Sequence, residues 1–378
     1  MAHVAPLDVA LVTLGDPNRL TGGYLYHRRV AQLAQRHGVR IQFAPFPERP
    51  FPLAALDARA VLARADRLGA RALVLDSIAA AFLGPWLTLR PPRLPLIGML
   101  HQPPGGIDYG PPRSTLQAAL DLLAYRRARR LLVASDALAD ELRRRWGVAA
   151  ERIRVVPPGR DVATAAGPPP GDLRRGRQAA FLCVGNWVER KGILGLLEAT
   201  ARLPAAAATL HLAGDETTDP AYARRVRARL AQPDLVDRVV VHGPLPLAAV
   251  AALYEAADAF VLASLKEPYG TVYGEAMAAG LPVVGWRAGN LPYLADDGVE
   301  GLLVTPGDVA GLARALARLA TDEPMRRRLG EAARARSASR PTWADVAELF
   351  CAHVKQVAGC GSSFGTWREQ PPRFRGSG

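Results

Sequence analysis

The chain has 378 residues, of which 49% are hydrophobic and 22% are charged. This composition is that of a folded protein and excludes disorder over most of the chain. The length favours two domains of roughly 150–180 residues each. The formal net charge is +13, with 48 Lys and Arg against 35 Asp and Glu. Such an excess fits a polyanionic partner, and it equally fits a compositional bias, because nearly all basic residues are arginine.

The cysteines and the apolar stretches indicate the cellular compartment in which the protein is expected. Cys183, Cys351 and Cys360 are odd in number and have no C-x-x-C spacing, which argues against a disulfide framework or a Cys-rich zinc site and favours a reducing compartment. The N-terminus lacks the pattern of a signal peptide. The most apolar long stretch, Leu245 to Leu265, carries two acidic residues and is a poor membrane span. We therefore expect a cytoplasmic protein, with room for peripheral contact at the inner membrane face.

Short apolar runs alternate with helix-like segments in the first part of the chain. A predicted strand at Asp8–Leu14 is followed by a Gly-rich turn at Thr21–Gly23 and a predicted helix at Tyr24–His37. Such alternation predicts βαβ units, with a parallel sheet and helices on both of its faces. The further predicted strands of this part are Val39–Phe43, Ala72–Leu75, Leu96–Leu100 and Arg130–Ala134.

A Pro-rich, basic stretch interrupts the pattern at residues 166–178 and is predicted to be a linker. The alternation then restarts, and the last predicted helix is Trp343–Val357. The second series of predicted strands is Ala180–Val184, Thr209–Ala213, Arg238–His242, Ala259–Ala263, Pro282–Gly285 and Gly301–Val304. We divide the chain into a first domain (1–165), the linker, a second domain (179–340), a closing helical segment (341–358) and an unstructured tail (359–378). Two such domains place a ligand cleft between the carboxyl ends of their strands.

The segment LKEPYGTVYGEAMAAG, residues 265–280, follows a predicted strand. Glu267 lies at the carboxyl end of that strand, Gly270 closes a tight turn, and Glu275 lies one turn into a predicted helix that begins at Thr271. The free N–H groups and dipole of a helix N-terminus suit a phosphate, and glycine allows close approach of a backbone to a ligand. A carboxylate in the first turn can bind the vicinal diol of a ribose. Acidic residues favour the first turn of any helix, so a purely structural role stays open.

The segment VGNWVERKG, residues 184–192, closes the first strand of the second domain. A strand-end glycine followed by a cation suits a diphosphate, with Lys191 as the point charge. The segment lacks the G-K-[ST] order of a Walker A loop, and no G-x-G-x-x-G follows the first strand of the chain. Arg190 and Lys191 equally fit solvated charges at a helix start. Gly22 and Gly23 are weak signals on their own, because many such turns contain glycine.

His101 follows the apolar run LIGML and precedes a Gly/Pro-rich loop. An imidazole at the carboxyl end of a strand is a candidate cleft residue. A lone histidine is also common as a structural residue, so His101 alone does not establish a site.

Taken together and in order, these segments resemble the family 4 glycosyltransferases, which have the GT-B fold. The family signature is matched by Glu267 and Glu275 within KEPYGTVYGEAMAAGLPVV, and VGNWVERKG resembles the family's strand-end loop. LHLAGD, LLVASDALADEL and RVVPPGRD resemble further family segments, so that the resemblance covers roughly residues 8 to 350. It implies an α/β fold of two Rossmann-like, doubly wound parallel-sheet domains that face a central cleft, with a C-terminal helix that crosses back to the first domain.

The resemblance implies that the second domain binds a nucleotide-diphosphate-sugar and the first an acceptor. Glu275 is then expected on the ribose, Glu267 on the hydroxyls of the transferred sugar and Lys191 on the diphosphate. His101 is expected beside the anomeric carbon. Further donor contacts are implied at Gly22, Gly23, Gly185, Asn186, Arg190, Gly214, Leu245, Tyr269, Gly270, Thr271 and Val272.

One residue departs from the family pattern. The resemblance implies an Arg after the strand-end glycine, whereas this chain has Asn186, which can donate a hydrogen bond but carries no charge. We hypothesise that Arg190 supplies the second cation.

The family implies transfer with retention, without a metal or other cofactor. The rival interpretations are a nucleotide-sugar epimerase of the same fold and a non-catalytic nucleotide-sugar-binding relative. Nucleic acid is not expected as a partner, because no recognised motif accompanies the basic residues.

Overall fold

The computed structural model describes residues 5–18, 22–160 and 171–359, and within those residues the chain forms two six-stranded parallel sheets. The first sheet has the strand order β2-β1-β3-β4-β5-β6. Its strands are β1 Leu7–Val12, β2 Val39–Phe43, β3 Ala72–Asp76, β4 Leu96–Leu100, β5 Arg130–Val133 and β6 Ile153–Val155. The central strands β3 and β4 are buried at every residue, as expected for a parallel sheet covered on both faces.

Helices connect the strands of the first domain and cover its sheet. They are α1 Gly22–Ala34, α2 Ala58–Arg67, α3 Ala80–Leu89, α4 Arg113–Arg127 and α5 Asp136–Trp146. The start of α5 illustrates how the sequence sets a boundary. Ser135 accepts a hydrogen bond from the N–H of Leu138 and so caps the helix, and Gly147 ends it in a left-handed conformation with φ of 62°.

The second sheet has the strand order β12-β11-β10-β7-β8-β9. Its strands are β7 Ala179–Val184, β8 Ala208–Ala213, β9 Val239–Gly243, β10 Ala259–Leu262, β11 Val283–Trp286 and β12 Gly301–Val304. The helices that follow are α6 Ile193–Ala201, α7 Pro220–Leu230, α8 Leu247–Ala256, α9 Thr271–Ala279, α10 Leu291–Leu294, α11 Val309–Thr321, α12 Glu323–Ala338 and α13 Trp343–Val357.

The last helix, α13, packs on the first domain. A capping box between Thr342 and Asp345 starts the helix. Val346, Phe350 and Val354 are buried in the same hydrophobic cluster as residues of β1, α1 and β2. The chain thus crosses between the two domains a second time.

The structure confirms the α/β class, the two parallel sheets and all the predicted strands and helices named above, within one or two residues at most ends. It adds β6, a three-residue strand that the sequence analysis did not identify. The predicted linker differs in its second half. Leu173 is buried in the core of the second domain and Arg174 pairs with Asp258, so residues 171–178 pack on that domain.

The earlier half of the predicted linker, most of the predicted tail, Thr21 and Cys360 lie outside the described residues. Cys183 and Cys351 are free and buried. Within the described part of the chain, none of the helices combines the length and the apolar character needed to cross a membrane.

Candidate functional site

The candidate residues lie at, or one strand away from, the point where the strand order of each sheet reverses. In the first sheet β1 lies between β2 and β3, and in the second β7 lies between β8 and β10. Ligands of open α/β sheets bind outside the carboxyl ends of strands at such switch points. Lys191 follows β7 and Glu267 follows β10, whereas His101 directly follows β4.

A buried ion pair joins the two charged residues that the sequence analysis selected in the second domain. The Lys191 ammonium contacts a Glu267 carboxylate oxygen, and each side chain is only 10% exposed. The two residues are 76 positions apart in sequence. Burying two charges is costly unless they are paired, so the contact fixes both side chains at the strand ends.

Backbone hydrogen bonds hold the two loops that carry this pair. The Arg190 carbonyl accepts from Leu265 N at 2.8 Å, which ties the loop after β7 to the loop after β10. The Glu267 carbonyl accepts from Asn290 N at 2.9 Å. The position of Glu267 is therefore set by backbone contacts on both sides.

Helix α9 begins at Thr271, so the N–H groups of Thr271 and Val272 lie at a helix N-terminus, where backbone N–H groups have no acceptor within the helix. Gly270 precedes it with φ of 71°, a conformation that favours glycine, and a Cβ there would meet Leu294 Cδ1 at 2.6 Å. Glu275 accepts a hydrogen bond from Tyr254 Oη at 3.1 Å. The predicted turn, helix start and acidic residue are all present.

The ends of β7 and β8 approach closely beside this helix. A Cβ on Gly214 would lie 2.0 Å from the carbonyl oxygen of Gly185, so only glycine fits there. The Asn186 side-chain oxygen accepts a hydrogen bond from Asp215 N at 3.4 Å, at an exposed position. Leu245 is half-buried and packs on the core of the second domain.

Arg190 makes its contacts with the first domain and with the loop after β10. Its Nε donates to Asp108 at 2.8 Å, and one terminal nitrogen donates to the Lys266 carbonyl at 3.2 Å. Asp108 belongs to the first domain, so this ion pair spans the cleft.

His101 forms the facing wall in the first domain. Its imidazole stacks on the ring of Tyr269 from the second domain, with centroids 5.3 Å apart and planes 23° from parallel. Gly23 lies beside the same ring, since a Cβ there would be 3.4 Å from His101 Cδ2. Gly22 is exposed and its Cα faces open space. The structure thus brings His101, Gly23 and Tyr269 together.

Two further residues that the sequence analysis missed lie behind His101. His27 Nε2 is 2.8 Å from Asp76 Oδ2 and 3.1 Å from His101 Nε2, and all three side chains are buried. Burial alone raises the pKa of Asp76, but His27, His101 and the N–H of Ile78 together outweigh burial, and the pKa lies below its usual value. Burial and the neighbouring His27 lower the pKa of His101 to about 3.

Within the described residues, His27, Asp76 and His101 form the one cluster of three side chains that could bind a metal ion. Their ligand atoms all lie within 4.8 Å of one another. The observed separations of 2.8 and 3.1 Å are those of hydrogen bonds, which account for the arrangement without an ion.

The signals for these two residues are present in the sequence, although they are faint. Asp76 is the last residue of the apolar run ALVLD, and so lies at the carboxyl end of a central strand. His27 follows the Gly22–Gly23 pair by four residues, one helical turn beyond Gly23. Polar residues at the ends of buried strands next to a switch point indicate this position.

A cavity of about 690 Å³ opens beside the ion pair. Its walls are the loop after β4 and helices α4 and α5 from the first domain, and Leu265 to Pro268 from the second. Glu267 lies at its border, so the cavity reaches the residues at the strand ends. Its size is within the range of small-molecule sites.

Comparison with solved structures defines the fold family. The chain superposes on sucrose-phosphate synthase from Thermosynechococcus elongatus with a TM-score of 0.80, 22% identity and coverage of 94% of this chain and 100% of the other. It superposes on Anabaena HepE in complex with UDP-glucose with a TM-score of 0.74, 22% identity and coverage of 92% and 99%. The two facing sheets are those of the GT-B fold.

Two family models match the chain, one for each domain. The model described as Glycosyltransferase Family 4 matches residues 5–164, and the model described as Glycosyl transferases group 1 matches residues 171–336. The chain belongs to the family 4 glycosyltransferases.

Among curated proteins, the chain is 35% identical over 225 residues to D-inositol 3-phosphate glycosyltransferase of Xylanimonas cellulosilytica, covering 55% of this chain and 54% of the relative. The chain spans about half the length of the curated relatives it matches.

Proposed function

We propose that this protein transfers a sugar from a nucleotide-diphosphate-sugar to an acceptor, with retention of anomeric configuration and without a metal ion. The observation that carries the proposal is the buried pair of Lys191 and Glu267 beside the N-terminus of α9. Lys191 supplies a cation there, and the helix whose N-terminal N–H groups can bind an anion begins four residues after Glu267. Negative charge develops on the diphosphate during transfer, and fixed positive groups stabilise it.

Glu275 and Glu267 take separate roles in this proposal. Glu275, next to the start of α9, binds the ribose hydroxyls, and Glu267 binds hydroxyls of the transferred sugar. Lys191 divides its charge between Glu267 and the diphosphate when the donor is bound. A solved structure of HepE with UDP-glucose supports a nucleotide-sugar as the class of donor, because that protein has the same fold.

Retention fits the chemistry on the first-domain wall. His101 is buried and its pKa is about 3, so it is neutral and is a poor general base at neutral pH. We infer that the leaving phosphate assists deprotonation of the acceptor on the same face of the sugar. The acceptor enters through the cavity between α4, α5 and Leu265–Pro268, which borders Glu267.

A thermal-shift screen against UDP-, GDP-, ADP- and dTDP-sugars tests donor binding. A ligand that binds only the folded protein stabilises it by mass action, so the correct donor raises the melting temperature. The screen is repeated on Glu275→Gln, which keeps an acceptor for Tyr254 Oη but removes the charge. We expect the shift in this variant to be much smaller.

The matched control is Tyr254→Phe. It removes the Tyr254 hydrogen bond that Glu275→Gln retains and keeps the carboxylate, so its donor-induced shift stays close to that of the wild type. A similar loss in both variants would assign the effect to packing and not to ribose binding. If no donor gives a shift, the proposal of a nucleotide-sugar donor fails.

The donor found in the screen is then incubated with the protein, in the presence and absence of excess EDTA, and the released sugar is followed by proton NMR. We expect slow transfer to water, with the anomer of the donor released first and with no effect of EDTA. Release of the opposite anomer first would contradict retention. Isomerisation of the intact donor would identify an epimerase.

A further inference from the structure

We infer that Asp76 and His27 are positioning residues that hold His101 as the Nδ1–H tautomer, so that its imidazole donates one hydrogen bond to an oxygen atom of the bound substrate. The inference concerns residues outside the charged pair, and its substrate step rests on the function proposed above. It follows from the contacts among three atoms, which are Asp76 Oδ2, His27 Nε2 and His101 Nε2.

The direction of the first hydrogen bond is fixed by Asp76. Its Oδ1 accepts from the Ser77 hydroxyl at 3.1 Å and from Ile78 N at 3.2 Å, and its Oδ2 faces His27 Nε2. An ionised carboxylate has no proton to donate. The proton between Asp76 and His27 therefore lies on His27 Nε2.

The second hydrogen bond follows from the first. His101 Nε2 lies 3.1 Å from the same His27 Nε2, which already carries a proton. A protonated His27 Nε2 has no lone pair with which to accept, so His101 Nε2 contributes the lone pair, and the one proton of His27 Nε2 is shared between it and Asp76 Oδ2 in a three-centre hydrogen bond. A neutral imidazole that accepts at Nε2 carries its proton on Nδ1.

This Nδ1–H group has no hydrogen-bond partner among the described residues, although it is buried. An unsatisfied buried donor costs about 1–3 kcal/mol, and such a group in a native structure calls for an explanation. Tyr269 of the second domain stacks over the ring, so the donor lies at the boundary where the two domains meet. An oxygen of a ligand held between the domains satisfies it.

Asp76→Asn tests the chain of hydrogen bonds with an isosteric change. Because Ser77 and Ile78 both donate to Oδ1, the amide oxygen of the variant takes that place and the amide NH₂ faces His27. His27 Nε2 then accepts, and His101 Nε2 has to donate. The variant is expected to move the His101 proton from Nδ1 to Nε2 and to remove the donor from the cleft.

Nitrogen NMR of histidine-labelled protein reads the tautomer directly and needs no activity. For the wild type near neutral pH we expect His101 with a protonated Nδ1 and an unprotonated Nε2, assigned with His101→Asn. In Asp76→Asn we expect the reverse, with a protonated Nε2 and an unprotonated Nδ1. A wild-type His101 that is protonated on Nε2 or on both nitrogens overturns the inference, even when the variant does not fold.

The kinetic readout separates positioning from a merely structural role. With the donor from the thermal-shift screen, we expect kcat for donor turnover to fall about 10²-fold in Asp76→Asn, while KM changes by less than about threefold. If Asp76→Asn loses the Nδ1–H tautomer but kcat does not fall, then His101 does not donate the proposed hydrogen bond to the substrate. If the wild type shows no turnover at all, the proposed function fails and the tautomer result stands by itself.

Asp308→Asn is the matched control, because Asp308 caps α11 through a hydrogen bond from Gly311 N and an asparagine caps equally well. It is expected to leave both the His101 tautomer and the turnover unchanged. Elemental analysis of the purified wild-type protein provides a second check. One equivalent of bound transition metal, lost in Asp76→Asn, would show that these atoms are ligands and would overturn the hydrogen-bonded assignment.

Discussion

The two walls of the cleft use different electrostatics. The second-domain wall places a paired cation and anion, Lys191 and Glu267, directly at the strand ends. The first-domain wall places a neutral, buried imidazole, His101, next to Tyr269 of the second domain, and its charged group, Asp76, lies behind His27. We propose that this difference is a division of labour, in which one wall balances the charge of a phosphate and the other directs a single hydrogen bond.

The largest effect is expected from Lys191→Ala, which tests the charged wall. The change removes a cation and leaves the Glu267 carboxylate buried without its partner. We expect donor turnover to fall about 10²–10³-fold. The free energy of unfolding should fall by about 3–5 kcal/mol, as measured by chemical denaturation, because an unpaired buried charge is costly.

The double variant Lys191→Ala with Glu267→Gln separates the two consequences. Neutralising the carboxylate should restore most of the lost stability but none of the lost turnover. A double variant as unstable as the single one would show that the loss comes from packing of the lysine stem and not from the charge.

A second prediction concerns another buried carboxyl group of the first domain. Burial raises the pKa of Asp121 to about 7, although the N–H groups of Gly105 and Ala81 donate to it and lower the pKa in part. The folded state therefore holds this proton more tightly than the unfolded state, whose Asp pKa is about 3.9. As pH rises from about 4 to about 7, the wild type loses stability relative to Asp121→Asn, by up to about 4 kcal/mol.

Denaturation of both proteins across this pH range checks the prediction. The Asn variant keeps an acceptor for Gly105 N, so the comparison isolates the ionisation. A constant difference between the two proteins would mean that the pKa of Asp121 is the same in the folded and unfolded states.

A third prediction concerns the neutrality of His101. Since its pKa is about 3, its ring signals should not move between about pH 5 and pH 8, the range in which an unperturbed histidine titrates. Titration of the histidine signals by NMR measures this. A His101 titration midpoint near 6.5 would contradict the contrast between a neutral imidazole on the first-domain wall and a charged pair on the second.

The smallest effect is expected at the ion pair that joins the walls. Arg190 and Asp108 are partly exposed, so their pair contributes little to stability, in the range of about 0–1 kcal/mol. If Arg190 supplies the cation that Asn186 lacks, Arg190→Ala should weaken donor binding a few-fold, and Asp108→Asn should strengthen it by freeing the guanidinium. Calorimetry of donor binding measures both. Unchanged affinity in Arg190→Ala would leave Lys191 as the side-chain cation on the diphosphate.

Most of the fold could be predicted from the sequence, because buried parallel strands are short apolar runs bounded by turns. β4 and β12 have the predicted limits. β6 was missed because it has three residues and two arginines flank its first residue. The stretch at 171–178 was assigned to the linker from its polarity, although Leu173 is buried.

The site could be predicted where one segment carries several signals, and not where the signal is tertiary. Glu267, Gly270 and Glu275 lie within nine residues, and the turn and helix start are local features. The contacts of His27 with Asp76 and His101 join residues 49 and 74 positions apart, so periodicity and spacing do not reveal them. The engagement of Arg190 by Asp108 is likewise a contact across the cleft.

The division of labour between the walls is tested most directly by calorimetry with the nucleoside diphosphate alone, which keeps the diphosphate of the donor but lacks the transferred sugar. Affinities are compared for the wild type, Lys191→Ala and His101→Asn. The account predicts that Lys191→Ala weakens binding by at least about tenfold, or 1.4 kcal/mol, whereas His101→Asn stays within about threefold of the wild type. Equal losses in both variants, or a loss confined to His101→Asn, would contradict it.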